Sequence, residues 1–85
     1  MRIDRLLVYL RFARTRARAI EMVSSRALRL NRKRVQRASQ PVAIGDVLTL
    51  MAGNEVRVIE IVDLPSRRGS AEDARSHYHE LDRAG

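Results

Sequence analysis

The N-terminal part of the chain carries many arginines and very few acidic residues, and arginine is well suited to binding phosphate. Its planar guanidinium group presents several N–H donors and a permanent charge in a geometry that matches phosphate oxygens. Six arginines fall within the first 18 residues, at positions 2, 5, 11, 14, 16 and 18. This concentration indicates recognition of a ligand that bears phosphate groups.

A helix start and a hairpin extend this basic pattern. Thr15 is a predicted helix N-cap, and a helix that begins after it would direct the backbone N–H groups of residues 16–18 towards an anion. A second basic cluster follows on a predicted hairpin; it comprises Arg29, Arg32, Lys33 and Arg34.

The net charge of +7 is distributed unevenly along the 85 residues. Residues 1–45 contain 12 basic and 2 acidic side chains, whereas residues 46–85 contain 5 basic and 8 acidic ones. A run of like charges usually serves only to solvate a surface. Because the basic half lacks acids that would pair with its arginines, its charge favours a polyanionic partner.

The remaining polar residues form no recognisable catalytic or metal-binding pattern. His77 and His79 are two positions apart on a predicted helix, so their side chains would point in nearly opposite directions. Ser24 and Ser25 have no base to activate them and are assigned to a helix end. The chain has no cysteine, which excludes disulfides and thiolate metal sites. The sequence therefore predicts no enzyme, no cofactor and no bound metal.

Aromatic side chains, on which unstacked bases would lie, are scarce. The chain has only Tyr9, Phe12 and Tyr78. Phe12 is assigned to the core, and Tyr9 is a candidate for stacking on a nucleotide. Binding is therefore predicted to depend on backbone phosphates and on shape.

Hydropathy periodicity predicts two short helices in the basic half. Apolar residues at helical spacing predict the first helix over about 4–11. Thr15 begins the second helix, which ends at Ser24 and Ser25. The predicted inner faces of the two helices consist of Ile3, Leu6, Leu7 and Leu10 on the first, and of Ala17, Ala19, Ile20 and Val23 on the second.

Strands follow the helices. Residues 27–31 alternate between apolar and polar and predict a strand, which a hairpin turn at Asn31 and Arg32 ends. Strands over 47–50 and 56–62 are predicted to pair, and the broken alternation at Val58 and Ile59 indicates a bulge or burial on both faces. Leu28, Leu30, Leu48 and Val58 are predicted to face the helices. A final helix is predicted over about 71–82, which completes an α+β fold.

Several short motifs occur in an order that resembles the S4-type RNA-binding domain. They are RIDRLL at 2–7, RFARTR at 11–16, LRLN at 28–31, ASQPV at 38–42 and GDVLTL at 45–50. RRGSAE at 67–72 and YHE at 78–80 resemble the tail of small ribosome-associated heat-shock proteins that consist of little beyond this domain. The resemblance implies an αL motif, that is, a helix pair on a small, strongly bent antiparallel sheet. Residues 1–62 are assigned to this domain and residues 63–85 to a C-terminal linker and helix.

The resemblance also implies that the two helices and the adjoining hairpin bind RNA. The RNA-binding residues assigned by position and charge are Arg5, Arg11, Arg14, Thr15, Arg16, Arg18, Arg29, Asn31, Arg32 and Lys33. Arg26 and Arg32 stand where the family usually has glycine, and each adds charge to the proposed face.

The function that follows is non-catalytic binding of structured RNA in the cytoplasm. Resemblance to the heat-shock branch implies ribosomal RNA of the large subunit, in the rescue or recycling of stalled subunits. Two alternatives remain: a basic module that docks on an acidic protein or anionic lipid, and a module that acts in trans with an RNA-modifying enzyme. The lipid version needs bulky exposed apolar residues beside the arginines, and the first helix offers only Val8 and Tyr9. The apolar run at 6–10 is far shorter than the ~20 residues that span a bilayer, so no membrane partner is predicted. No small-molecule substrate is predicted either.

Overall fold

The computed structural model describes residues 1–25 and 28–81, and it confirms the α+β fold. The elements within these residues are α1 (Ile3–Tyr9), α2 (Arg16–Ser24), β1 (Leu28–Leu30), β2 (Lys33–Arg34), β3 (Val47–Ala52), β4 (Glu55–Ile61), α3 (Ala71–Arg75) and β5 (Tyr78–Glu80). The strands form one antiparallel sheet in the order β2-β1-β3-β4-β5. Arg26, one of the two departures at glycine positions, lies outside the described residues, as do Ala27 and residues 82–85.

Helix α1 packs on the sheet through the apolar stripe that its sequence predicts. Ile3, Leu6 and Leu7 are completely buried, as the helical spacing of apolar residues requires. After the helix the chain folds back, because the N–H groups of Phe12 and Ala13 both donate to the carbonyl oxygen of Leu7, at 2.9 and 3.1 Å. This reversal brings the start of α2 towards the start of α1.

Helix α2 begins and ends where its sequence predicts. The Thr15 hydroxyl accepts a hydrogen bond from the backbone N–H of Arg18 at 3.1 Å, as an N-cap residue does. The last helical residue is Ser24, and Ser25 is the C-cap.

The buried face of α2 differs in part from the predicted one. Ala19 and Val23 are buried as predicted, and Met22 is buried with them. Ala17 is exposed and Ile20 is 41% exposed, so the prediction that both face the core was wrong. The reason is geometric: positions 19, 22 and 23 share one helical face, and positions 17 and 20 are rotated away from it.

The first hairpin confirms the predicted turn. In β1, Leu28 and Leu30 are buried and Arg29 is exposed. Asn31 and Arg32 have φ values of 51° and 71°, so both lie in the left-handed region. Two such residues are what a tight type I′ hairpin requires, and a non-glycine residue like Arg32 enters this region at a cost in backbone energy.

Strands β3 and β4 pair without interruption, from Val47 opposite Glu60 to Ala52 opposite Glu55. The pairing therefore contains no bulge. Because side chains alternate across a sheet, Ile59 faces the helices and is fully buried, whereas Val58 lies on the opposite face and is only partly buried. The prediction that Val58 packs against the helices was wrong.

The C-terminal segment forms a shorter helix than predicted and adds a strand. Helix α3 ends at Arg75, although its start is capped by reciprocal hydrogen bonds between Ser70 and Asp73. The chain then enters β5, in which Tyr78 pairs with Ile61. The free edge of β4 offers backbone partners that a further helical turn would not use, so the expectation of a helix over 71–82 was wrong. His77 and His79 accordingly lie in a turn and on a strand.

Candidate nucleic-acid interface

A buried carboxylate, Asp4, joins the starts of the first two helices. Its side chain is fully buried and accepts two hydrogen bonds from Arg2, at 3.1 and 3.0 Å. It also accepts one from Arg16 Nε at 3.1 Å and one from the backbone N–H of Arg5 at 2.8 Å. Two guanidinium groups on one carboxylate leave an excess of one positive charge at this junction.

The environment of Asp4 keeps it ionised. Burial raises the pKa of this carboxyl, but the hydrogen bonds from Arg2, from the Arg5 N–H and from Arg16 outweigh burial and hold the pKa below its ordinary value. From the sequence alone, Asp4 is only the first residue of the helix predicted at about 4–11. Its position as one of two acids in the basic half was the signal that it has partners.

We call the arginines at positions 2, 5, 11, 14, 16 and 18 the helix cluster; four of them contact the fold. Besides Arg2 and Arg16, Arg18 forms an ion pair with Glu21 at 2.9 Å. Arg11 donates a hydrogen bond from Nη1 to the carbonyl oxygen of Gly69 at 2.8 Å, and its own backbone has φ of 67°. Arg5 and Arg14 are exposed and make no side-chain hydrogen bond or ion pair within the described part of the chain.

The structure separates Arg11 from the other predicted site residues. It follows the C-terminal end of α1, whereas Arg16 lies beside Asp4 at the other end of this seven-residue helix. At 1.5 Å per residue, these ends are about 10 Å apart. Thr15 serves the fold as the cap of α2, so the backbone N–H of Arg18 is already satisfied and is not available to an anion.

We call Arg29, Arg32, Lys33 and Arg34 the hairpin cluster, and its members are all exposed. Within residues 1–25 and 28–81, none of the four side chains takes part in a hydrogen bond or an ion pair. Arg29 and Arg34 lie directly opposite each other on β1 and β2. Like charges in this arrangement destabilise a sheet unless an anion comes between them.

Asn31 fastens the hairpin turn to the start of the neighbouring strand β3. Its amide nitrogen donates to Asp46 Oδ1 at 3.1 Å, and its amide oxygen accepts from the backbone N–H of Val47 at 2.9 Å. The Asn31 side chain thus has fold partners at both ends and holds the turn that presents Arg32.

The segment at 38–41 brings the hairpin and the helix starts together. The backbone N–H of Asp4 donates to the carbonyl oxygen of Ala38 at 3.1 Å, and that of Ile3 donates to Gln40 at 2.8 Å. This segment follows the hairpin in the chain, so the two basic clusters adjoin across it. Arg37, an exposed cation just before this segment, is not among the predicted site residues, although it ends the basic run from 32 to 37.

Two of the three aromatic residues are engaged within the fold. The rings of Phe12 and Tyr78 lie 5.4 Å apart, and the guanidinium of Arg57 lies 5.1 Å from the centre of the Phe12 ring. Hydrogen bonds to Glu80 raise the pKa of Arg57 against the effect of desolvation. Tyr9 is partly buried and lines a depression beside Arg67 and His77.

No group of three or more histidine, aspartate or glutamate side chains within residues 1–25 and 28–81 is placed to hold an ion. His77 Nδ1 lies 2.8 Å from Asp63 Oδ2, which ties the turn before β5 to the end of β4.

Comparison with known proteins points to one family. The model of the S4 domain matches residues 1–48. Heat shock protein 15 homolog of Haemophilus influenzae is 34% identical over 82 residues, which make up 96% of this chain and 62% of that protein. Small ribosomal subunit protein uS4 of Acinetobacter baylyi is 36% identical over 70 residues, 80% of this chain and 34% of that protein. This chain therefore spans less than two thirds of the length of either relative.

A solved structure extends the likeness to the C-terminal segment. The trimeric structure of Vibrio cholerae heat shock protein 15 matches with a TM-score of 0.90 and 32% identity. The match covers 95% of this chain and 81% of that one. The resemblance inferred from the motifs is thus confirmed over the helix pair and the sheet.

Proposed function

The chain belongs to the S4 domain family, and from this premise we propose that it binds structured RNA through backbone phosphates without catalysing a reaction. The observation that carries the proposal is the group of exposed cations on the helix starts and the hairpin, which are linked through the segment at 38–41. Five of the predicted contacts there have no partner in the described fold: Arg5, Arg14, Arg29, Arg32 and Lys33.

The residues that already have partners within the fold hold parts of this surface in place. Asp4 holds Arg16 in one orientation, so that Arg16 presents a fixed guanidinium while its side chain remains 59% exposed. Thr15 and Asn31 hold the helix start and the turn. Arg11 and Arg18 already contact Gly69 and Glu21, and for this reason we assign them weaker contacts to RNA.

We further propose that the RNA is ribosomal RNA of the large subunit and that the protein acts in the cytoplasm, in rescue or recycling of stalled subunits. The likeness to heat shock protein 15 supports this assignment, because it extends over nearly the whole chain. The likeness to uS4 favours the small subunit instead, and it covers a smaller share of this chain.

Sedimentation and crosslinking test this assignment. We expect the protein to co-sediment with large subunits at low salt, and its crosslinked RNA fragments to accumulate on large-subunit rRNA. Accumulation on small-subunit rRNA would indicate that the protein binds the small subunit instead. Peaks on tRNA or mRNA only, with the protein in the free fraction, would remove the ribosome from the proposal.

Salt dependence tests the phosphate contacts. If the five unengaged cations and Arg16 each neutralise one phosphate, the slope of log K against log salt is about −4.2 to −5.4, at 0.7 to 0.9 per contact. Anionic lipid vesicles provide the control for charge alone. Equal affinity for vesicles and RNA would contradict an RNA-specific role. None of the helices within the described residues is long and apolar enough to cross a membrane.

A further inference from the structure

A groove lies along the hairpin and the chain segment that follows it. It consists of two adjoining depressions of about 340 and 290 Å³. The first is lined by Arg34, Gln36, Arg37, Ser39, Gln40 and Pro41. The second shares Arg34 and Gln40 with the first and continues to Lys33 and Asn31. We call the two together the hairpin groove.

The hairpin groove is basic and has unused hydrogen-bonding capacity. Lys33, Arg34 and Arg37 line it, and their side chains have no hydrogen bond or ion pair within the described part of the chain. No aspartate or glutamate lines either depression. Arg34 also faces Arg29 across the strand pair, which leaves an uncompensated repulsion that a bound anion would relieve.

The lining matches a nucleic-acid backbone better than a small molecule. Beside the apolar Leu30, Val35 and Pro41, the lining carries three cations, three side-chain amides and a hydroxyl, which is more charge than the mostly apolar lining of a small-molecule pocket has. Gln36 and Ser39 can each donate and accept hydrogen bonds, as the ribose 2′-hydroxyl of RNA also can. Three cations along one groove suit consecutive phosphates.

The groove leads towards the helix starts. Its wall at 38–41 is bonded to the first residues of α1, through Asp4 to Ala38 and Ile3 to Gln40. Arg16 lies on Asp4 at the same end of α1. An RNA strand that leaves the groove past this wall therefore meets the exposed arginines of the helix starts.

We propose that the hairpin groove holds the ribose–phosphate backbone of an RNA strand, which continues from there to the helix starts. The inference rests on the proposed function and adds Arg34, Arg37, Gln36 and Ser39 to the surface that contacts RNA. An RNA strand bound in the groove would contact the protein over a longer stretch than one bound at the hairpin turn alone.

The test compares two double variants that remove the same charge. Arg34→Gln with Arg37→Gln alters the groove, and Arg67→Gln with Arg75→Gln is the matched control on the C-terminal segment, where both arginines are exposed. The probe is a fluorescein-labelled RNA stem–loop with a single-stranded tail, measured by anisotropy over a salt series. Circular dichroism establishes that both variants are folded, as expected since none of the four side chains has a bond to the rest of the described fold.

Loss of two phosphate contacts predicts a salt slope that is shallower by about 1.4 to 1.8 for the groove variant. At 0.1 M salt the same contacts correspond to a loss of affinity of roughly 25- to 60-fold. The control variant should bind within about 2-fold of the wild type, because its arginines neutralise no phosphate.

The outcomes separate the two proposals. A wild-type protein that does not bind the probe contradicts the proposed function itself. A wild-type protein that binds, with groove and control variants equally affected, overturns the hairpin groove and leaves the proposed function standing. In a second arm, Gln36→Ala with Ser39→Ala should weaken binding to RNA more than to DNA of the same sequence, and an equal loss would overturn the assignment to a ribose-containing strand.

Discussion

The helix cluster and the hairpin cluster contain the same type of side chain, yet the fold uses them differently. Four arginines of the helix cluster are bonded to Asp4, Glu21 or Gly69. The four cations of the hairpin cluster have no such bonds within the described residues. The number of arginines therefore does not measure the extent of a binding surface. Engaged arginines maintain its geometry, and unengaged ones retain their charge for a ligand.

The largest expected effect is on Asp4, which supports the helix cluster. Asp4→Ala removes the acceptor of four hydrogen bonds and should lower the free energy of unfolding by about 3 kcal/mol. This is the lower end of the range for breaking a buried ion pair, because both guanidinium groups keep contact with water. Lys33→Ala in the hairpin cluster should change it by less than about 0.5 kcal/mol. Urea denaturation measures both, and equal losses would erase the contrast between the clusters.

Acid should weaken the helix cluster through the same residue. The pKa of Asp4 is lower in the folded state than its ordinary value, so its contribution to stability is complete above about pH 4 and is lost as pH falls through the lowered value. Denaturation at a series of acidic pH values should show this loss in the wild type. Asp4→Asn should lack that part of the pH dependence, and an unchanged profile in the variant would show that Asp4 is not the titrating group.

A smaller effect distinguishes two neighbouring arginines of the helix cluster. Arg16→Gln should cost about 1 kcal/mol of unfolding free energy, since it loses the bond to Asp4 but is 59% exposed and screened by solvent. Arg14→Gln, which loses no bond, should stay within about 0.5 kcal/mol. Both should make the salt slope of RNA binding shallower by about 0.7 to 0.9. Thermal unfolding and anisotropy together check whether stability and binding separate in this way.

The smallest effect has the opposite sign. Arg34→Glu places a carboxylate opposite Arg29 and should raise the free energy of unfolding by about 0.2 to 1 kcal/mol. The same change should weaken RNA binding, because it puts a negative charge in the hairpin groove. A variant that is both less stable and weaker in binding would indicate a structural role for Arg34 instead of a role in contacting RNA.

Much of the fold could be predicted because local patterns and tertiary packing agree. The cap at Thr15, the alternation in β1 and the hairpin at Asn31 all follow from residues close in sequence. The prediction failed where a distant partner decided the outcome. The segment after Arg75 has helical spacing, but pairing with the edge of β4 makes it a strand.

The candidate site could be predicted in part for the same reason. Charge and order along the chain identified both basic clusters, and the family resemblance was confirmed. The role of Asp4 could not be predicted, because its partner Arg16 lies twelve positions away on another helix. Neither could the hairpin groove, whose walls meet only once the chain after β2 has turned back to α1.

The number of cations in the basic half, the helix caps and the periodicities that bury one face of each element all follow from local sequence. These properties depend on residues within a turn or two of one another, so composition and spacing express them directly. The tertiary structure alone decided which arginines the fold engages and which it leaves to a ligand. That choice depends on distances between side chains remote in sequence, such as the 3.1 Å from Arg16 to Asp4, and such distances are set only when the helices and the sheet pack together.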